Sequence, residues 1–166
     1  MIISIYGASA VGKTAIAECL ATNLSLPLRS CGSEVRIAAK QLRVGLQNLP
    51  LSVHREIDAK TVGWVLERDP CIVEGRFLDQ VLFGIPRHVY SVKLMATEEV
   101  RLARSVSRAG SAIEDNEVKR SDVSDQEFRE KSYGLTERPP PTLTIDTSKL
   151  TVVECVNQIT TAIRVL

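Results

Sequence analysis

The chain has 166 residues, with 21 Lys and Arg against 20 Asp and Glu and a formal net charge of +1. That length favours one domain with a core of its own, and the near-neutral balance removes any general electrostatic case for nucleic acid or an anionic membrane surface as partner. Apolar residues at 44% and charged residues at 25% are the proportions of an ordinary soluble globular chain. Cys19, Cys31, Cys71 and Cys155 are far apart and form no CxxC pair, so no zinc or redox motif follows and a reducing compartment is expected. The start, MIISIYGAS, has no basic n-region, and no apolar run approaches the roughly 20 residues that span a bilayer. The expectation is a cytoplasmic monomer whose partner is a small molecule.

The first predicted element is a buried strand over Met1 to Tyr6, short and rich in Ile, entering a Gly-containing turn. A helix over Lys13 to Leu24 follows, with Ile16, Leu20 and Leu24 four apart on one packing face. Leu26 to Ser30 reads as a second short strand, and Ser33 as the cap of a helix over Glu34 to Val44. Gly45 to Pro50 breaks that helix, and another runs from Ser52 to Arg68, closed by Asp69 and Pro70. Cys71 to Val73 is a buried strand ending at Glu74, Gly75 and Arg76, and His88 to Met95 is the fourth strand. Thr97 caps a helix opened by Glu98 and Glu99.

Residues 108 to 134 are polar and mixed in charge, which reads either as an exposed helical hairpin or as a mobile flap. Leu143 to Ile145 is the fifth strand. Thr151 and Glu154 fit a capping box for a last helix with the apolar stripe Val153, Val156, Ile159 and Ile163. Five short strands alternating with helices imply an α/β chain: a five-stranded parallel sheet in a three-layer α/β/α arrangement, with residues 108 to 134 as a helical lid.

Gly7-Ala8-Ser9-Ala10-Val11-Gly12-Lys13-Thr14 matches G-x-x-x-x-G-K-S/T between a strand and a helix, the setting of a P-loop. Glycines allow the tight wrap. The backbone N–H groups and the helix N-terminus attract phosphates. Lys13 sets a cation against the terminal phosphates, and the Thr14 hydroxyl suits Mg²⁺. The loop alone does not separate kinases from switches or motors.

Three further features favour a kinase. Glu74, Gly75 and Arg76 leave the carboxyl end of a strand, where ligands meet a doubly wound sheet. Arg76 suits a bidentate phosphate contact, and Glu74 suits Mg²⁺ through water or orientation of an acceptor. Arg36, on the first turns of the helix after the second strand, suits an acceptor phosphate, although a solvated helix Arg is the plain alternative. Arg101, Arg104, Arg120 and Arg129 form a set in which arginines brought over the phosphates would neutralise transition-state charge. The same segment carries Asp122 and Asp125, so a solvated surface is an equal reading for any one of these. No N-K-x-D-like segment of a GTPase is present.

With these residues in view, the chain resembles the nucleoside monophosphate kinases, and among them the short cytidylate kinases. The resemblance rests on the P-loop, on G-S-x-x-R-x-x-A at Gly32 to Ala38, on I-V-E-G-R at Ile72 to Arg76, on A-T-E-E-V-R-L-A-R at Ala96 to Arg104, and on the closing Ser132 to Leu135 and Thr144 to Ser148. It implies transfer of the γ-phosphoryl of ATP, with Mg²⁺, to a nucleoside monophosphate, CMP or dCMP first. It implies Arg36 and Arg76 at the acceptor phosphate and base region, Arg104, Arg120 and Arg129 at the phosphates in transit, and Asp125 at the cytidine side. Two other readings stand beside it. One is a P-loop kinase of a different small acceptor, of the shikimate or gluconate kind. The other is a nucleotide-binding regulator.

Overall fold

The computed structural model describes residues 1–109, 117–134 and 138–164. Five strands, β1 (Ile2–Tyr6), β2 (Leu28–Ser30), β3 (Cys71–Gly75), β4 (Val89–Met95) and β5 (Leu143–Asp146), form one parallel sheet in the order β2-β3-β1-β4-β5. Among the described residues, seven α-helices pack around it: α1 (Lys13–Leu24), α2 (Cys31–Leu42), α3 (Leu51–Glu67), α4 (Leu78–Val81), α5 (Glu98–Ala109), α6 (Glu117–Tyr133) and α7 (Val152–Arg164). The parallel α/β architecture is the one the strand and helix alternation predicts.

β1 lies at the centre and is buried at every position, as a strand covered on both faces must be. Its side chains alternate between two cores. Ile3 and Ile5 join Ile16, Leu20, Ile72, Val92, Leu94, Ile145 and Ile159 under α1 and α7. Ile2 and Tyr6 join Val65, Cys71, Val73, Leu78 and Leu82 under α3 and α4. The chain turns to β2 and β3 on one side of β1 and to β4 and β5 on the other. The carboxyl end of β1 is therefore a topological switch point, with the Gly7–Thr14 loop upon it.

Several boundaries move for local reasons. β2 starts at Leu28 because Leu26 still belongs to the end of α1, its N–H donating to Ala21 O behind left-handed Ser25. α2 starts at Cys31, three residues earlier than predicted, because Ser30 and not Ser33 is the cap: its Oγ accepts from the Ser33 N–H at 3.2 Å. The short α4 was not foreseen. The Thr97 cap and the Thr151–Glu154 capping box form as predicted. On α7, Val153 is exposed and Cys155 takes its place inside with Val156 and Ile159. Trp64 packs at the edge of the second core between the Arg29 and Arg68 guanidiniums, a packing role.

Candidate active site

The loop leaves β1 through Gly7 at φ +145, where a Cβ would lie 2.3 Å from the Leu94 carbonyl oxygen. No residue with a side chain fits there, which is why the first glycine of the motif is needed in this chain. Ala10 is left-handed at φ +61, and Gly12 at φ +96 is the cap from which α1 starts. Lys13 Nζ folds back on the Ala8 carbonyl at 2.6 Å. Burial pushes its pKa from an ordinary 10.5 down to about 8; Arg76 and Arg108 push the same way, while Glu74 and Asp125 oppose. These four groups are the charged surroundings of the lysine, so the end of β3, α5 and α6 converge on the loop.

Glu74 is the hub beneath. It is 2% exposed. Thr14 Oγ1 donates to its Oε1 at 3.3 Å, and Ser30 Oγ makes a short hydrogen bond to the same oxygen. Ser30 Oγ also meets Ser33 Oγ at 3.0 Å, and Arg36 Nη2 donates to Ser33 Oγ at 2.9 Å. A polar chain thus runs from the loop hydroxyl through the acid to Arg36, which is otherwise exposed. Beside Glu74, Gly75 is closely packed: an added Cβ would meet Cys31 Cβ at 3.2 Å and Leu78 Cγ at 3.3 Å, and those side chains would have to give way slightly. Thr14 and Glu74 together are a hydroxyl and a carboxylate of the hard-oxygen kind that Mg²⁺ takes alongside phosphates and water. No cluster of three or more metal-ligating side chains occurs among the described residues.

α6 lies across the mouth by one face. Asp122, Asp125, Arg129 and Tyr133, spaced three, four and four, each reach a different element. Asp122 takes Arg101 of α5 at 2.8 and 2.6 Å. Asp125 takes Arg76 at 2.5 Å. Arg129 takes both oxygens of Asp79 at 2.8 and 2.7 Å. The Tyr133 hydroxyl donates to Asp58 of α3 at 2.6 Å. Phe128 stacks on Phe77 at 5.2 Å and meets the His54 ring edge-on at 4.7 Å. Burial pushes the Asp125 carboxyl up, against the pull of Arg76, and pushes the His54 imidazole down.

On the other side of the loop, a 560 Å³ cavity is lined by Val11, Ala15, Val100, Arg104, Thr147 and Leu150 among others. It is mostly apolar and suits a flat ring. Arg104 edges it, with Nη1 on Thr147 Oγ1 at 2.9 Å and Nη2 on the Thr147 carbonyl at 2.8 Å.

The structure therefore brings Lys13, Thr14, Glu74, Arg76 and Asp125 together, with Arg36 reached through the serines. Arg104 stands at the cavity, between it and the loop, and Arg129 is engaged by Asp79. Arg120 falls within α6, but its side chain lies outside the described residues, as do residues 110–116 of the predicted lid. Sequence reasoning missed Asp79, Asp58, Tyr133, Phe128 and Thr147. The spacing of positions 122, 125, 129 and 133 on one helix face was the available signal for the α6 contacts. Nothing local marks Asp58 or Asp79 as their partners.

No protein-family model and no curated protein matches the chain. Solved structures do. A gluconokinase from Sinorhizobium meliloti has 16% identity and a TM-score of 0.69, over 98% of this chain and 90% of that one. A shikimate kinase from Acinetobacter baumannii, in complex with shikimate, has 17% identity and a TM-score of 0.64, over 99% and 93%. A sugar kinase from a Janibacter species has 17% identity and a TM-score of 0.63, over 98% and 94%. At such identities the likeness concerns the fold, and over its whole length this chain has the fold of those kinases.

Proposed function

We propose that the whole chain is one P-loop kinase domain, which transfers the γ-phosphoryl group of ATP to a small anionic acceptor. A nucleoside monophosphate comes first, CMP or dCMP foremost, and the products are the diphosphate and ADP. The observation that carries this reading is the convergence of Glu74, Arg76 and Asp125 on a half-buried Lys13, whose pKa is pushed down to about 8. Phosphoryl transfer is largely positioning and charge stabilisation, and such a site supplies both.

In this reading the backbone of Gly7 to Thr14 holds the phosphates of ATP, and the adenine lies in the cavity by Arg104. Lys13 follows the transferring group, with Arg104, Arg120 and Arg129 neutralising charge. Arg36 and Arg76 hold the acceptor anion, Gly75 lies beside them with Cys31 and Leu78 packed close against it, and Asp125 bounds the far side of the acceptor. Arg76 and Arg129 must first exchange Asp125 and Asp79 for ligand. Thr14, and Glu74 through water, would hold Mg²⁺, which shields the phosphate charge when bound. An acceptor oxygen attacks the γ-phosphorus as its bond to the β-phosphate oxygen breaks, and that oxygen leaves on ADP. A phosphate acceptor is already an anion, so no base is needed.

A second reading has a specific observation in its favour: the similar structures include shikimate kinases and a gluconokinase. Both acceptors are carboxylates that Arg36 and Arg76 suit equally, and the proton of the attacking hydroxyl would pass to a site carboxylate, Glu74 or Asp125. The test is ADP release from ATP and Mg²⁺ against CMP, dCMP, UMP, AMP, shikimate and gluconate. Turnover with one pyrimidine monophosphate supports the first reading and turnover with a hydroxy acid the second. ATP binding with no turnover on any of them moves the chain toward a nucleotide-binding regulator.

A further inference from the structure

Four successive carbonyls of the phosphate loop are each held by a different side chain. Lys13 Nζ donates to Ala8 O at 2.6 Å, Arg101 Nε to Ser9 O at 2.8 Å, Arg104 Nη1 to Ala10 O at 3.4 Å and Thr147 Oγ1 to Val11 O at 2.9 Å. In a trans peptide the carbonyl and the next N–H point in opposite directions. Arg101, Arg104 and Thr147 come from outside the loop, so the Ser9, Ala10 and Val11 carbonyls they hold are turned away from its inside, and the N–H groups of residues 10 to 12 face inward, where an anion is received. Three of the four donors lie outside the loop motif.

The two peptide units on either side of Ala10 are those held by Arg101 and Arg104. Ala10 is the loop residue that carries a Cβ in the left-handed region, at φ +61, a conformation that surroundings must impose. Arg101 differs from its neighbour Arg104 in what its guanidinium does. It is 7% exposed. Its Nε holds Ser9 O, and its two terminal nitrogens grip the Asp122 carboxylate of α6 in bidentate fashion. All three nitrogens are engaged within the protein.

We propose that Arg101 is a positioning residue: it holds the left-handed turn of the phosphate loop at Ala10 and ties that turn to α6 through Asp122. This rests on the reading of the loop as a nucleotide phosphate site. Lysine cannot replace it, since a single ammonium lacks the planar fork that reaches a carbonyl and a carboxylate together.

The test is calorimetric titration of Mg²⁺ and ADP into the full chain, beside its melting curve. Arg101→Lys is expected to weaken ADP binding about tenfold, the scale of one charge-assisted hydrogen bond. Ala10→Gly in that background is expected to restore affinity to within about threefold of the original, because glycine takes positive φ without penalty. A general loss of stability would not be repaired by one loop backbone change. Unaltered ADP affinity in Arg101→Lys, or a loss that Ala10→Gly leaves in place, overturns the proposal.

If Arg101→Lys does not fold, Asp122→Asn, at a position 45% exposed, is the second variant. ADP is expected to slow hydrogen exchange over residues 121–133 in the unaltered chain and to do so no longer in this variant; persistence of the slowing overturns the tie to α6. A chain that binds ADP yet turns over no acceptor removes the kinase reading and leaves this inference standing. A chain that binds no ADP removes both.

Discussion

Lys13 combines partial burial with a cationic task, and the conflict has a measurable consequence. Its pKa near 8 in the free protein lies below its ordinary 10.5. Bound phosphates favour the ammonium and raise that value again. Binding near and above pH 8 must then take up a proton. ADP affinity is expected to fall by roughly tenfold per pH unit above about 8, until the bound-state pKa is reached. Titration calorimetry in two buffers of different ionisation heat reads the proton directly, and pH-independent affinity from 7 to 9.5 would contradict the assignment. The free protein moves the other way. Between about pH 8 and 10.5 the native chain carries fewer protons than the unfolded chain, so this residue's contribution to stability rises with pH.

Gly7 gives a second prediction at the residue scale. Its substitution by Ala sets a Cβ against the backbone of β4 at 2.3 Å and at a positive φ. A backbone oxygen cannot swing aside as a side chain would. Gly7→Ala is expected to cost on the order of 3 kcal/mol or more in denaturant unfolding, and to abolish nucleotide binding where it folds. The need for glycine was legible from the motif. The partner that enforces it, Leu94 on a strand more than eighty residues away, was not.

Among the elements, α6 shows where sequence reading stops. Its polar composition gives two readings, an exposed helical hairpin or a mobile flap, in a segment expected as a helical lid. The structure has a helix docked by one face over the site mouth, held among the described residues by ion pairs of Asp122, Asp125 and Arg129 and by the Tyr133–Asp58 hydrogen bond. Hydrophobic periodicity could not find that face because most of its anchors are charged. Phe128 is the chief apolar anchor, stacked on Phe77 and edge-on to His54. Phe128→Ala is expected to cost about 1–2 kcal/mol, less than a core truncation, since the ring is half-buried. Its clearer effect is local: exchange over residues 121–133 accelerates while that of β1 and β3 does not. Equal acceleration everywhere would mean that α6 unfolds only with the rest. By contrast the strands, the Thr97 cap and the α7 capping box were legible, because short apolar runs and capping chemistry are local signals. The short α4 depends on tertiary partners, with Leu78 in the second core, whereas the early start of α2 turns on which of two nearby serines, Ser30 or Ser33, is the cap.

At the scale of the molecule, the loop at the end of β1 joins two otherwise separate halves. One side holds the cavity among α1, α5 and α7; the other holds the Glu74 chain to Arg36 among β2, α2 and β3. Both are fixed to the same central strand, whose side chains enter both cores. α6 touches both sides at once, through Arg101 and through Arg76. A ligand in the loop is therefore expected to act on α6 through Arg101 and Asp122, and a second ligand on the Arg36 side to meet a helix already biased by the first. ADP at a hundred times its Kd is expected to add about 2.7 kcal/mol of stability, and hence to raise the melting temperature by roughly 5–10 °C for a chain of this size. The acceptor named by the turnover panel, added alone, is expected to raise it less than it does in the presence of ADP, because Asp125 and Asp79 hold Arg76 and Arg129 in the free protein. Equal shifts with and without ADP would show that the two halves bind independently, and that α6 carries no coupling between them.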